Sequence, residues 1–155
     1  MKILYLLILI CISSNLTACN LHKSNSAKLL KVENVKTDSM KLKITIGEKV
    51  LIATLYDNPT TRDFISLLPL TLTLTDYNGT EKISDLPKKL STKNAAAGYE
   101  PSVGDITLYA PWGNLALFYK DFTYSSGLIP LGKINSGIEN FNGQGSVSVK
   151  IELEK

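Results

Sequence analysis

Side chains able to do chemistry are scarce in this chain. Among 155 residues there is one His, His22, and there are two Cys, Cys11 and Cys19. From position 23 onward neither an imidazole nor a thiol is present. That excludes a Ser-His or Cys-His nucleophile and any His/Cys metal site in that region. Arg62 is the only Arg among 17 Lys+Arg, so a site built on two guanidinium forks is impossible within one chain. The net charge is +3 and no basic block is longer than Lys88-Lys89, which is no electrostatic footprint for nucleic acid. Glycines are scattered, as in Gly143-Gln144-Gly145, without the strand–Gly-loop–helix order of a nucleotide cradle. No spacing of Asp and Glu singles out an acid–base pair. No metal, cofactor or nucleic-acid partner is expected, and no residue is assigned a catalytic role.

The remaining candidates are aromatic and polar. The only Trp, Trp112, lies in the turn Pro111-Trp112-Gly113-Asn114. It suits either an aromatic wall at the rim of a cleft or a lid over one end of the fold. Tyr109 and Tyr119 flank that turn, as near neighbours that offer hydroxyls to a ligand or pack across strands. Glu81 follows the Asn78-Gly79 turn and is either a carboxylate at a cleft edge or a solvated partner of Lys82. Arg62 grips a ligand carboxylate or pairs with Asp63, Glu81 or Asp105. Asn114 holds its turn by an Asx-type bond. The expected ligand-binding cleft therefore comprises Tyr109, Pro111, Trp112, Asn114, Phe118 and Tyr119, with Arg62 and Glu81 as polar members.

Period-two patterning supplies the elements that must position these residues. Met40, Leu42, Ile44 and Ile46 alternate with polar residues, Gly47-Glu48-Lys49 turns, and Val50 to Leu55 returns as a hairpin partner. Leu70, Leu72 and Leu74 alternate with Thr71, Thr73 and Thr75. Asp105 to Tyr109 and Leu115 to Tyr119 flank the Trp112 turn, and Val147, Val149, Ile151 and Leu153 face inward on a last strand. One helix begins at Asn58 as cap with Pro59 in the first position, buries Phe64, Ile65, Leu67 and Leu68, and ends at Pro69. A second short helix or turn is expected near Ser136 to Phe141. Many short strands with one or two short helices predict a mainly β fold, a closed or nearly closed barrel over residues 40–155.

The first 39 residues read differently. Met1-Lys2 precedes ten apolar residues, Ile3 to Ile12, and then Ser13-Ser14-Asn15. A helix of that length spans roughly 15 Å, too short for a bilayer and suited to the apolar region of a secretory signal. Leu16-Thr17-Ala18-Cys19 resembles the bacterial lipobox, in which the Cys sulfur takes a diacylglyceryl group. This implies a signal peptide over 1–18, lipidation at Cys19, and a tether over 19–39 carrying His22 as a solvated side chain. The expected location is the bacterial cell envelope, outside the cytoplasm and anchored to the membrane by lipid.

The order of motifs from residue 40 onward resembles the cyclophilin-like fold. Asn58-Pro59-Thr60-Thr61-Arg62-Asp63-Phe64 is similar to the stretch in which cyclophilins begin their first helix. Gly104-Asp105, Gly113-Asn114-Leu115-Ala116-Leu117-Phe118 and Leu131-Gly132-Lys133-Ile134 are similar to later cyclophilin turns and strands. The string from Val103-Gly104-Asp105-Ile106 through Tyr109, Phe118-Tyr119 and Phe122 to Tyr124-Ser125-Ser126-Gly127-Leu128 resembles more closely a bacterial cyclophilin-like domain family of unknown function. Some members of that family are joined to flavodoxin-type domains. The resemblance also implies a loss. Cyclophilins steady the twisted prolyl amide with an Arg and enclose the proline with Phe, Trp and His, whereas Arg62 falls on the helix and Leu128, Ile129 and Pro130 offer no His. Only Phe118 corresponds to a pocket wall. The scaffold is thus expected to be a non-catalytic binding module for a small ligand or an extended peptide. The alternatives are a prolyl isomerase or related enzyme with a non-standard site, or a partner domain in an envelope redox system.

Overall fold

A computed structural model describes residues 40–143 and 145–154. The expected signal peptide, Cys19 and the expected tether with His22 lie outside the described residues. Strands β1 (Lys41–Ile46) and β2 (Lys49–Leu55) form the opening hairpin. Helix α1 (Pro59–Ile65) follows, then β3 (Leu70–Tyr77), β4 (Glu81–Asp85), β5 (Gly98–Tyr99), β6 (Asp105–Tyr109) and β7 (Asn114–Phe118). Next come β8 (Ser125–Ser126), β9 (Leu128–Ile134), a 3-10 turn over Ile138–Phe141, and β10 (Ser146–Leu153). Eight strands close a barrel in the order β1-β10-β3-β4-β7-β6-β9-β2, every neighbouring pair antiparallel, while β5 and β8 pair apart from it. Closure leaves no free edge on the barrel.

Alternation decides which side chains fill it. Leu42 and Ile44, Leu51, Ala53 and Leu55, Ile106 and Leu108, Leu115 and Leu117, and Val149 and Ile151 form one buried cluster. Phe64 from α1 and Phe141 from the 3-10 turn join it. Helix α1 starts as expected: the Asn58 side chain accepts from the Thr61 N–H at 2.8 Å and Pro59 takes the first turn. Thr60 and Thr61 are fully buried beside Phe64, whereas Ile65, Leu67 and Leu68 are only partly covered. Leu153, expected to face inward, is exposed at the end of β10, although its partner Leu42 on β1 is buried.

Two close fits tie the barrel together. A Cβ on Gly132 would lie 2.5 Å from the Thr54 carbonyl and 3.0 Å from Leu55 Cα, so β9 can cross β2 only with a hydrogen at that position. Between β3 and β4, Asn78 and Gly79 both take positive φ, 54° and 67°, the two-residue turn whose twist suits a hairpin.

At the end of β3 away from α1, the barrel interior is polar. The Lys82 ammonium is 3% exposed and reaches Asp76 Oδ1 (3.2 Å) and the carbonyls of Gly143 (2.5 Å) and Gly145 (2.9 Å). The Tyr119 hydroxyl donates to Asp76 Oδ1 at 2.5 Å. Tyr119 and Lys82 hold the Asp76 carboxyl below its usual range, while burial and that bond push Tyr119 up to about 12. This network ties the segment before β10 to β3 and β4.

Candidate functional site

The site lies on the outer face of β4, β6 and β7. Since Leu115 and Leu117 point into the core, Asn114, Ala116 and Phe118 point outward; on β6, Tyr109 does the same. Register brings the outward residues together: Tyr77 stands opposite Glu81, Ile83 opposite Ala116, and Tyr109 opposite Asn114. A cleft of about 190 Å³ opens over them. Ile83, Ala116 and Leu128 supply apolar surface, Phe122 comes from the segment leading into β8 and Ser125 from β8 itself, and Trp112 stands at the rim. The Trp112 ring meets Tyr77 and Tyr109 edge to face, at 5.6 and 5.3 Å with interplanar angles of 84° and 83°. Trp112 is nevertheless 56% exposed, an open wall of the cleft.

Two polar groups mark the cleft. Asn114 is 2% exposed, and its Oδ1 is buried without a hydrogen-bond partner. Glu81 lines the same cleft; burial first, and the negative charge of Asp76 second, push its carboxyl up from 4.5 to about 7. No lining residue is basic. Lys89 runs past the Trp112 turn, where its Cγ would touch a Cβ on Gly113 at 3.5 Å, but it does not line the cleft.

Of the eight residues expected from sequence, Tyr109, Trp112, Asn114 and Glu81 line the cleft. Phe118 lies fully buried with Ala116 and Leu128 and stacks on Phe122 at 6.3 Å, supporting the cleft rather than lining it. Pro111 packs over Gly127, where a Cβ would meet it at 2.8 Å. Tyr119 is not a neighbour of Tyr109. With Tyr109 opposite Asn114, Tyr119 lies five residues further along the ladder, ~17 Å away, and points inward. It borders a separate cavity of about 410 Å³ with Gly79, Lys120, Asn142 and Gly143. Arg62 pairs on α1 with Asp57 at 2.5 Å, not with Asp63, Glu81 or Asp105. Asp63 instead meets Lys88 and the Ser91 N–H, and Asp105 meets Lys133, Tyr99 and Ser102. Glu81 and Lys82 cannot pair, because adjacent strand residues face opposite sides of the barrel wall. Asn114 makes no Asx bond; the turn is closed by the Gly113 N–H to the Tyr109 carbonyl at 2.8 Å.

Tyr77, Ile83, Ala116, Phe122, Ser125 and Leu128 were not foreseen. Alternation from Glu81 to Ile83 and from Asn114 to Ala116 carried a signal for two of them. The others depend on which strands become neighbours. Among the described residues, no group of three or more His, Cys, Asp or Glu side chains is placed to hold a metal ion.

The sequence model of the cyclophilin-like family matches residues 44–152. The chain belongs to the cyclophilin-like family. Among solved structures, this cyclophilin-like domain is similar to the solution structure of a hypothetical protein from Archaeoglobus fulgidus. The identity is 19% over 75% of this chain and 95% of that one, with a TM-score of 0.53, a likeness of fold. No curated protein matches the sequence.

Proposed function

We propose that this cyclophilin-like domain is a non-catalytic binding module whose outer-face cleft takes a small ligand or one side chain of an extended peptide. The observation that carries this reading is the cleft itself: an apolar floor and an exposed Trp112 around the Glu81 carboxyl and the unpartnered Asn114 Oδ1. At about 190 Å³ it is smaller than the several hundred Å³ usual for larger organic ligands, which favours a compact group. No guanidinium lines it: Arg62 is engaged with Asp57 on α1. The test uses the chain from Asn20 onward, titrated with an Ala-Pro peptide and followed by protein NMR. Shifts confined to cleft residues without faster cis–trans exchange of the peptide support binding without catalysis. Exchange faster than the uncatalysed tens of seconds would establish the isomerase alternative.

The proposal includes an anchor. The lipobox-like Leu16-Thr17-Ala18-Cys19 supports lipidation of Cys19 and tethering of the barrel to the outside of a bacterial membrane through residues 19–39.

A further inference from the structure

We infer that the group bound in the outer-face cleft is a small alkylammonium cation, held by the Tyr77–Trp112–Tyr109 aromatics and by Glu81. This deepens the binding-module reading and rests on it.

Three features of the cleft point to a cation. The first is aromatic. Trp112 stands nearly perpendicular to both Tyr77 and Tyr109, and all three rings line the same small cleft. Rings so disposed offer negative π faces to a compact cation, the arrangement by which quaternary ammonium groups are recognised. The second is a carboxyl without a counterion. Asn114 Oδ1 is buried and unpartnered, and the Glu81 side chain makes no hydrogen bond or ion pair with any described residue. An anion entering this space would meet a carboxylate and π faces, whereas an ammonium would meet groups that attract it. The third is charge balance. Lys82, beside Glu81 in sequence, points through the wall to Asp76, and Arg62 is paired with Asp57, so neither neutralises Glu81. The groups whose charge bears on Glu81 are Asp76 and Tyr119, neither of them cationic; Tyr77 stands opposite it on β3, and the nearby Lys82 ammonium is engaged with Asp76 and the Gly143 and Gly145 carbonyls. A bound ammonium would supply the missing countercharge.

Trp112 is the only Trp, so its fluorescence reports on the cleft directly. The chain from Asn20 onward is titrated with choline, with n-butylammonium, and with 3,3-dimethylbutan-1-ol, the uncharged isostere of choline. We expect choline or n-butylammonium to bind about tenfold or more tightly than the alcohol. Glu81→Gln is expected to remove about tenfold of that preference while leaving the barrel folded, as read by the dispersion of its amide resonances. Equal binding of choline and the alcohol, or a preference that survives Glu81→Gln, overturns the cation assignment and leaves an apolar binding cleft standing. If none of the three binds but the Ala-Pro peptide shifts cleft resonances, the cation assignment fails and the binding-module reading survives. If no probe of either kind binds, both fail.

Discussion

Glu81 gives the cleft a measurable effect on folding even without ligand. In the unfolded chain its carboxyl titrates near 4.5, and in the folded protein near 7. Between those values the native state holds a proton that the unfolded state has lost, so stability falls as pH rises through this window. The stabilising preference for the neutral form is fully present below pH 4.5 and is lost once pH passes about 7. The full displacement corresponds to about 3.4 kcal/mol as an upper bound. The cleft is open to water and the carboxyl only half-buried, so screening reduces the expected effect to about 1–2 kcal/mol. That corresponds to roughly 5–10 °C in Tm for a domain of this size. Urea unfolding of the chain from Asn20 onward, at pH 5, 6, 7 and 8, would be compared with Glu81→Gln. The two proteins should be about equally stable at pH 5, and the variant should be more stable at pH 8. Asp63, Asp76 and Glu152 are all lowered by their partners and complete their titration below this window, so the difference between the curves isolates Glu81. Parallel curves across the four pH values would show that Glu81 is ordinarily hydrated, and the account of the cleft as a poorly solvated site would fall with it.

Lys82→Met removes the buried ammonium that holds the Gly143 and Gly145 carbonyls; we expect a loss of about 3 kcal/mol in urea unfolding, with amide-exchange protection lost first around residues 141–146. A loss below 1 kcal/mol would mean that the carbonyls find water instead. Gly132→Ala should destabilise by about 1–3 kcal/mol, because the added methyl meets backbone on β2 rather than a movable side chain. An unchanged unfolding midpoint would show that β9 can shift away from β2. Cys19→Ser should abolish incorporation of labelled fatty acid in a bacterial host and release the protein from the membrane fraction. Persistent label in the variant would place the anchor elsewhere.

Much of the barrel was legible because its signals are local. The hairpin of Leu42 and Ile44 against Leu51 and Ala53, the Asn58-Pro59 start of α1, and the Asn78-Gly79 turn each follow from side-chain period or backbone preference within a few residues. Family membership was legible too, because an ordered string of short motifs survives where no single one is specific. Half of the residues expected to gather do line one cleft, for the same local reason: Tyr109, Trp112 and Asn114 sit on one tight turn, and Glu81 next to another.

What only the tertiary structure decided is which strands lie side by side and which face each side chain takes. Tyr119 and Tyr109 look like equivalent flanks of one turn in sequence. Their positions on the ladder separate them by five residues, and the pleat sends Tyr119 into the barrel toward Asp76. Tyr77 gains its place opposite Glu81, and Ile83 opposite Ala116, through pairings of β3 with β4 and β4 with β7. Lys82 finds Asp76 for the same reason, standing directly opposite it across β3 and β4. The sequence determines the period of a strand, and so which residues share a face. Closing the barrel determines which face is inside and what lies across from it, because only there do the buried areas and hydrogen bonds of all eight strands become satisfied together.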